Sequence, residues 1–190
     1  MFSFFKKKPF QKKEITFNYE SVMVDMHSHV LPGIDDGAQT PQESIALIKR
    51  MMDLGIKKII ATPHVMADYF KNTPETIAAA LAILKAELEK EKIDIAIETA
   101  AEHYFDETFA ARVDNKKLMT MGDNYCLFEL SFISRPPNVI EVIQKMTKLG
   151  YKPILAHPER YPYMDMDQLS IIHGWGCSLQ LNTIALTGYY

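Results

Sequence analysis

The segment Val24-Asp25-Met26-His27-Ser28-His29 joins the end of a short β-strand to two histidines one residue apart. In extended backbone, residues two apart project to the same side, so both imidazoles can face one point. The arrangement recurs at four more strand-like runs, which end in Ile59-Ile60-Ala61-Thr62-Pro63-His64, Thr99-Ala100-Ala101-Glu102, Leu127-Phe128-Glu129 and Leu155-Ala156-His157. The interval from His27 to His64 is 37 residues, and the next three are 38, 27 and 28. Each is about the size of one β-α-β repeat. Consecutive parallel strands present their C-terminal ends on one face, so the five endings are expected to converge there.

The segments between these endings carry helix signals. Thr40-Pro41-Gln42-Glu43 supplies a cap, a proline at the first position and an acid three residues after the cap. Ile45, Ile48 and Met52 then share one face, and Gly55 provides the stop. Thr73-Pro74 opens a second helix with Ile77, Leu81, Leu84 and Leu88 at helical spacing. A shorter helix is expected near 107–113. Another starts at Pro137 and carries Val139, Ile143 and Met146, and a last one lies near 167–173. Strands are predicted over 22–26, 56–61, 93–98, 125–130, 153–156 and 178–182, all parallel, giving six β/α repeats. Closed β/α barrels usually need about 250 residues. The expectation is therefore a distorted β/α barrel over 21–190 that lacks its C-terminal strand or strands, behind an N-terminal arm at 1–20.

Composition narrows the function classes. The chain has 190 residues, 47% of them hydrophobic, and a formal charge of −3 from 21 basic and 24 acidic side chains. That suits one well-buried core and offers no electrostatic case for nucleic acid. Cys126 and Cys177, both in apolar runs, read as buried free thiols of a reducing compartment. No apolar stretch approaches the roughly 20 residues of a transmembrane helix, and no signal peptide is recognisable, so the expected location is the cytoplasm. The arm MFSFFKKKPFQKK (1–13) carries five lysines and four phenylalanines. It reads as a poorly ordered solvated segment, with a weak membrane-surface contact as the alternative.

The strand-end residues carry the chemistry. Glu102 and Glu129 end apolar runs where an uncompensated carboxylate is costly, and neither Phe128 nor Leu130 can neutralise Glu129. Metal ions resolve that conflict. Asp35-Asp36-Gly37 adds a hard carboxylate on a turn, although alone it would read as an Asx-turn before the Thr40 helix. Imidazole and carboxylate ligands without thiolate suit Mn²⁺, Fe or Zn²⁺ in a hydrolytic role. Arg160, three residues after His157, offers a planar donor fork matched to phosphate, and Arg135 is a weaker candidate for the same face. The plain alternative for Arg160 is a surface ion pair with Glu159. His103 should point away from Glu102, and His173 lies in an amphipathic segment; both are left out of the site.

Asp25-Met-His27-Ser-His29, Asp35-Asp36-Gly37, Thr62-Pro-His64, Ala101-Glu102, Phe128-Glu129, Ala156-His157-Pro-Glu-Arg160-Tyr161 and Gln180-Leu-Asn-Thr together resemble the bacterial PHP-family protein-tyrosine phosphatases. These belong to the polymerase and histidinol phosphatase superfamily and accompany capsule or exopolysaccharide operons. The resemblance, which runs from about Val24 to the last residue, implies a distorted seven-stranded β/α barrel with a trinuclear manganese site. It implies hydrolysis of phosphotyrosine by a metal-held hydroxide, with a bacterial tyrosine autokinase that controls polysaccharide export as partner. Carried over by motif, His27, His29, Asp36, His64, Glu102, Glu129 and His157 become metal ligands and Arg160 a catalytic, phosphate-binding residue. The family pattern ends with an Asp-x-His motif, and none follows Asn182, so seven of nine expected ligands are present.

Three rival readings can be set beside this one. Cysteine-based dephosphorylation needs an arginine six residues after the cysteine, but Phe132 and Thr183 stand there. A histidinol-phosphate-type phosphomonoesterase remains an alternative within the superfamily. The absent Asp-x-His motif motivates the third, a non-catalytic module that binds metal or phosphopeptide.

Overall fold

The computed structural model describes residues 21–188, so the expectations for the basic arm at 1–20 fall outside the described residues. The elements run β1 Val24–Ser28, α1 Pro41–Asp53, β2 Lys58–Ala61, β3 His64–Val65, α2 Pro74–Lys90, β4 Ala96–Thr99 and β5 Glu102–Tyr104. There follow α3 Phe109–Asp114, β6 Tyr125–Glu129, α4 Val139–Lys148, β7 Lys152–Ala156, α5 Met166–Gly174 and β8 Ser178–Gln180. The strands pair in the orders β1-β2-β4 and β3-β5-β6-β7-β8, and each of these pairings is parallel. The fold is mixed α/β with parallel sheets.

Sequence reading expected six strand runs, whereas the described residues contain eight strands, because two runs are interrupted. Pro63 has no N–H to give to the ladder, which breaks the run between β2 and β3. The register nevertheless continues: Lys58 pairs with Ala96 and His64 with Glu102, the same 38-residue offset. Bonds from Ala100 N to Ala61 O (2.9 Å) and from Glu102 N to Pro63 O (3.1 Å) bridge the gap. His64 and Glu102 therefore sit in resumed strands, and neither is on a free loop. Among the described residues, the outer edges of β1 and β8 carry no strand partner.

The helices form where their caps direct. Thr40 accepts from Glu43 N at the start of α1, with Pro41 at the first position. Thr73 and Thr76 complete a reciprocal capping box on α2. Such caps each stabilise by about 1 kcal/mol. Helix α4 starts at Val139 after Asn138, two residues later than Pro137 indicated. Ile45 and Ile48 of α1 bury against Ile59 of β2 and Ile77, Leu84 and Leu88 of α2. A second cluster joins Phe109, Phe128, Val142, Ile143, Met146 and Leu155, and it contains both cysteines, which are free.

A smaller apolar layer explains where the polar residues go. Ile60, Ala100, Leu127 and Ile154 pack together on the inner face of successive strands. Side chains alternate along a strand, so Thr62 and His64, Glu102 and Tyr104, and Glu129 follow on that same face, above an apolar floor.

Candidate metal centre

Alternation alone does not bring the first and last histidines inward. Met26 packs with the apolar floor, so strict alternation would turn His27 and His29 outward. The β1–β2 register slips between Asp25 and Ser28, a bulge-type irregularity that re-aims the following side chains. At the other end, Ile154 and Ala156 face inward, and His157 should face out. Instead it adopts a left-handed backbone (φ 33°, ψ 59°), uncommon for a residue other than glycine. Local strain of this kind concentrates at functional sites.

Glu102 occupies the middle of the cluster and is 1% exposed. Its Oε2 lies 3.1 Å from His27 Nε2, 3.3 Å from His29 Nε2 and 3.3 Å from His64 Nδ1, while Oε1 lies 2.9 Å from His157 Nε2. Glu129 Oε1 lies 3.0 Å from His64 Nδ1, and Asp36 Oδ1 lies 3.4 Å from His64 Nε2. All seven side chains expected as ligands line one cavity of about 500 Å³, together with Arg160, Asn182 and the aromatic residues Tyr69, Phe70, Tyr104 and Phe132.

These residues fit divalent cations. Glu102 Oε2 and His64 Nδ1 are buried and have no hydrogen-bond partner, although each has atoms of the other sign or type within 3.3 Å. Buried ligand atoms that converge on one point with no hydrogen-bond partner are what a cation satisfies. Three ligand groups meet the spacing for one ion each: His27–His29–Glu102, His29–Asp36–His64 and His64–Glu102–Glu129.

Charge in the metal-free cluster is shared out accordingly. Burial works against a charged His29 ring, but the hydrogen bond to Asp35 and the negative charge of Glu102 outweigh it and lift its pKa to about 10. Burial alone would raise Glu102, yet its histidine neighbours, His157 at Oε1 first, hold its carboxyl well below the usual range. A bound cation must displace such protons. The His29 contribution to metal-free stability is complete below the unfolded pKa of 6.5 and is lost as pH rises through about 10. Thermal unfolding in chelator should therefore show declining stability from pH 6.5 to 10. A flat profile would contradict a charged His29.

The structure separates the two aspartates that sequence left together. Asp36 is exposed and presents its carboxylate to His64. Asp35 is buried: Oδ2 accepts from His29 Nδ1 (2.7 Å) and His64 N (3.2 Å), and Oδ1 accepts from Gly37 N (3.0 Å). Asp35 is thus an orienting group that sequence reasoning missed, with no signal beyond adjacency to distinguish it. A further missed clamp is Arg112, which donates to Val65 O (3.1 Å), Tyr104 O (2.8 Å) and Asp106 Oδ1 (3.2 Å), tying the ends of β3 and β5.

Arg160 stacks on Phe132, with Cζ 4.5 Å from the ring centroid. Its expected rival partner Glu159 instead accepts from Asn182 N (3.0 Å). Arg135 does not line the cavity. The turn after β6 puts Phe132 there, held beside Tyr161, whose hydroxyl accepts from Leu130 N (3.0 Å). His103 points away and accepts from Met119 N (3.0 Å), and His173 lies 3.1 Å from Cys177 O.

The capsular polysaccharide synthesis (CpsB/CapC) family model matches residues 23–190. The chain belongs to the CpsB/CapC family. The tyrosine-protein phosphatase CpsB of Streptococcus agalactiae is 27% identical over 164 residues, covering 85% of this chain and 68% of that protein. The tyrosine-protein phosphatase YwqE of Bacillus subtilis is 32% identical over 139 residues, covering 73% of this chain and 55% of that protein. A solved structure from a study of YwqE of Bacillus subtilis and CpsB of Streptococcus pneumoniae, described as unique metal-dependent tyrosine phosphatases, superposes with a TM-score of 0.78. It is 30% identical and covers 84% of this chain and 66% of its own. This CpsB/CapC chain thus spans between 55% and 68% of the length of these relatives. Its kinship is with metal-dependent tyrosine phosphatases, which are enzymes of phosphomonoester hydrolysis.

Proposed function

We propose that this chain hydrolyses phosphotyrosine in protein, in the cavity centred on Glu102, with divalent ions held by His27, His29, Asp36, His64, Glu102, Glu129 and His157. The observation that carries the reading is the convergence of His27, His29 and His64 on the orphaned Oε2 of Glu102. Bound there, such ions supply hydroxide at neutral pH and positive charge for the phosphoryl oxygens. The chain's own groups do the rest. Asp35 fixes the His29 ring by accepting from Nδ1. Arg160, steadied on Phe132, offers its fork to a phosphoryl oxygen pair. Tyr69, Phe70 and Phe132 give the mouth an apolar margin against which a phenyl ring can lie.

The finer parts of this reading rest on the motif resemblance. The metal is Mn²⁺, up to three ions in a full site, with Fe or Zn²⁺ as alternatives. Residues 21–190 are one domain forming part of a PHP-type β/α barrel, and the edges of β1 and β8 that lack a strand partner among the described residues leave room for further strands. The substrate is a bacterial tyrosine kinase of polysaccharide export, and the reaction takes place in the cytoplasm. No helix of the described residues is long and apolar enough to cross a membrane.

Hydrolysis of a phosphotyrosine peptide by the purified chain, with and without Mn²⁺, tests the reading, with His27→Ala as control. Turnover that requires metal and disappears in the variant is expected. A folded, metal-loaded chain that binds the peptide without cleaving it would leave a binding module instead.

A further inference from the structure

Gln180, the last residue of β8, reaches across to a histidine on β1. Its Oε1 lies 2.7 Å from His27 Nδ1 and 3.4 Å from the backbone nitrogen of His157. The orientation of this amide can be deduced. A backbone N–H only donates, so the Gln180 atom facing His157 N must be the oxygen. The same oxygen faces His27 Nδ1, which must then carry the ring proton. The other end agrees, because Gln180 Nε2 donates to Asn182 Oδ1 (3.0 Å). With the proton on Nδ1, the lone pair of His27 is left on Nε2, the atom that lies 3.1 Å from Glu102 Oε2.

The network continues beyond the glutamine. Asn182 lines the cavity, and its backbone nitrogen donates to Glu159 Oε1 (3.0 Å). Glu159 belongs to the short 3₁₀ turn Pro158–Arg160, which carries Arg160 next to His157. Gln180 therefore touches a β1 histidine directly and the His157 backbone directly, and it connects through Asn182 to the turn that aims the arginine. It does so between β1 and β8, each an edge strand of its sheet among the described residues.

We infer that Gln180 is a positioning residue: it holds His27 in the Nδ1–H tautomer with Nε2 aimed at the ion site, and it locks the spacing between His27 and His157. This rests on the reading of His27 as a metal ligand. Outer partners that orient a ligating histidine typically contribute about 10- to 100-fold in metal affinity.

The test compares the full chain with Gln180→Ala, Gln180→Glu and His27→Ala by Mn²⁺ calorimetry, alongside ¹⁵N spectra of the His27 ring in chelator at alkaline pH. Gln180→Ala should bind Mn²⁺ about 10- to 100-fold more weakly while keeping its circular dichroism, and excess Mn²⁺ should restore much of its turnover. Gln180→Glu keeps an acceptor opposite Nδ1, so its affinity should return to within a few-fold of wild type. The wild-type ring should be protonated at Nδ1, and Gln180→Ala should show mixed tautomers. Wild-type affinity in Gln180→Ala, with affinity lost in His27→Ala, overturns the role of Gln180 and leaves the metal site standing. A wild-type ring protonated at Nε2 overturns it whatever the metal does, and even if the variants fail to fold. If wild type and His27→Ala bind Mn²⁺ alike, the reading of the site itself fails, and the inference fails with it.

Discussion

Glu102→Gln should abolish metal-dependent turnover while leaving the cavity's shape nearly unchanged. The substitution preserves size and one oxygen, but it replaces an anionic acceptor with an amide that offers the neighbouring rings hydrogens. Glu102 Oε2 is the atom on which His27, His29 and His64 converge at 3.1–3.3 Å, and Oε1 meets His157 at 2.9 Å. Two of the three candidate ion groups include this carboxylate. Mn²⁺ affinity and turnover are each expected to fall by more than about 100-fold, beyond the range typical of outer-shell partners. The metal-free protein should also melt at a lower temperature near pH 7. There a carboxylate that is 1% exposed and held ionised by its histidines loses its charge, and breaking a buried pair from one side costs about 3–5 kcal/mol. Calorimetric titration and thermal unfolding of the same preparation separate the two effects. Unchanged Mn²⁺ affinity would remove Glu102 from the centre.

The positions of these candidate ligands were legible because two simple regularities coincide. Each of the five strand-like runs ends in an ionisable residue, and consecutive parallel strands put those ends on one side. What spacing cannot express is the local deviation that completes the cluster. His27 and His29 depend on the register slip after Asp25, and His157 depends on a left-handed residue where alternation would turn it outward. The same limitation explains the strand count. Pro63 was visible, but its consequence, a ladder broken and then resumed at the same 38-residue offset, is a property of pairing.

Supporting groups were harder to read than candidate ligands, since their roles are defined by partners far away in sequence. Asp35 and Asp36 are indistinguishable as letters, yet one is buried against His29 and His64 N while the other is exposed beside His64 Nε2. Arg135 and Phe132 share one loop, and only the fold decides that the aromatic ring covers the cavity and carries Arg160. Gln180 lies 153 residues from the histidine it contacts. Glu159 next to Arg160 suggested an ion pair, but the free backbone nitrogen of Asn182 takes that carboxylate. Backbone donors that need partners outcompete exposed ion pairs, which are worth little.

Gly37→Ala tests how tightly the Asp35-Asp36 turn is built onto β1. A Cβ at Gly37 would fall 2.1 Å from His29 O and 2.4 Å from His29 Cβ. Neither atom belongs to a flexible side-chain end, so the turn or the strand must move. The turn cannot move alone: Ala38 N donates to His29 O (3.0 Å), and Gly37 N donates to Asp35 Oδ1 (3.0 Å). Displacing Gly37 therefore draws Asp35 away from His29 Nδ1 and His64 N and shifts Asp36 relative to His64. Overpacking of this kind typically costs about 1–3 kcal/mol in stability. The larger effect should fall on the site, because an orienting carboxylate and a candidate ligand move together. Mn²⁺ affinity is expected to drop by about 100-fold, the upper end for an outer-shell change. The expected signature is a melting temperature lowered by a few degrees beside a disproportionate loss of metal binding. Equal, small losses in both would mean that the turn yields without moving Asp35, and that the contact with His29 serves packing alone.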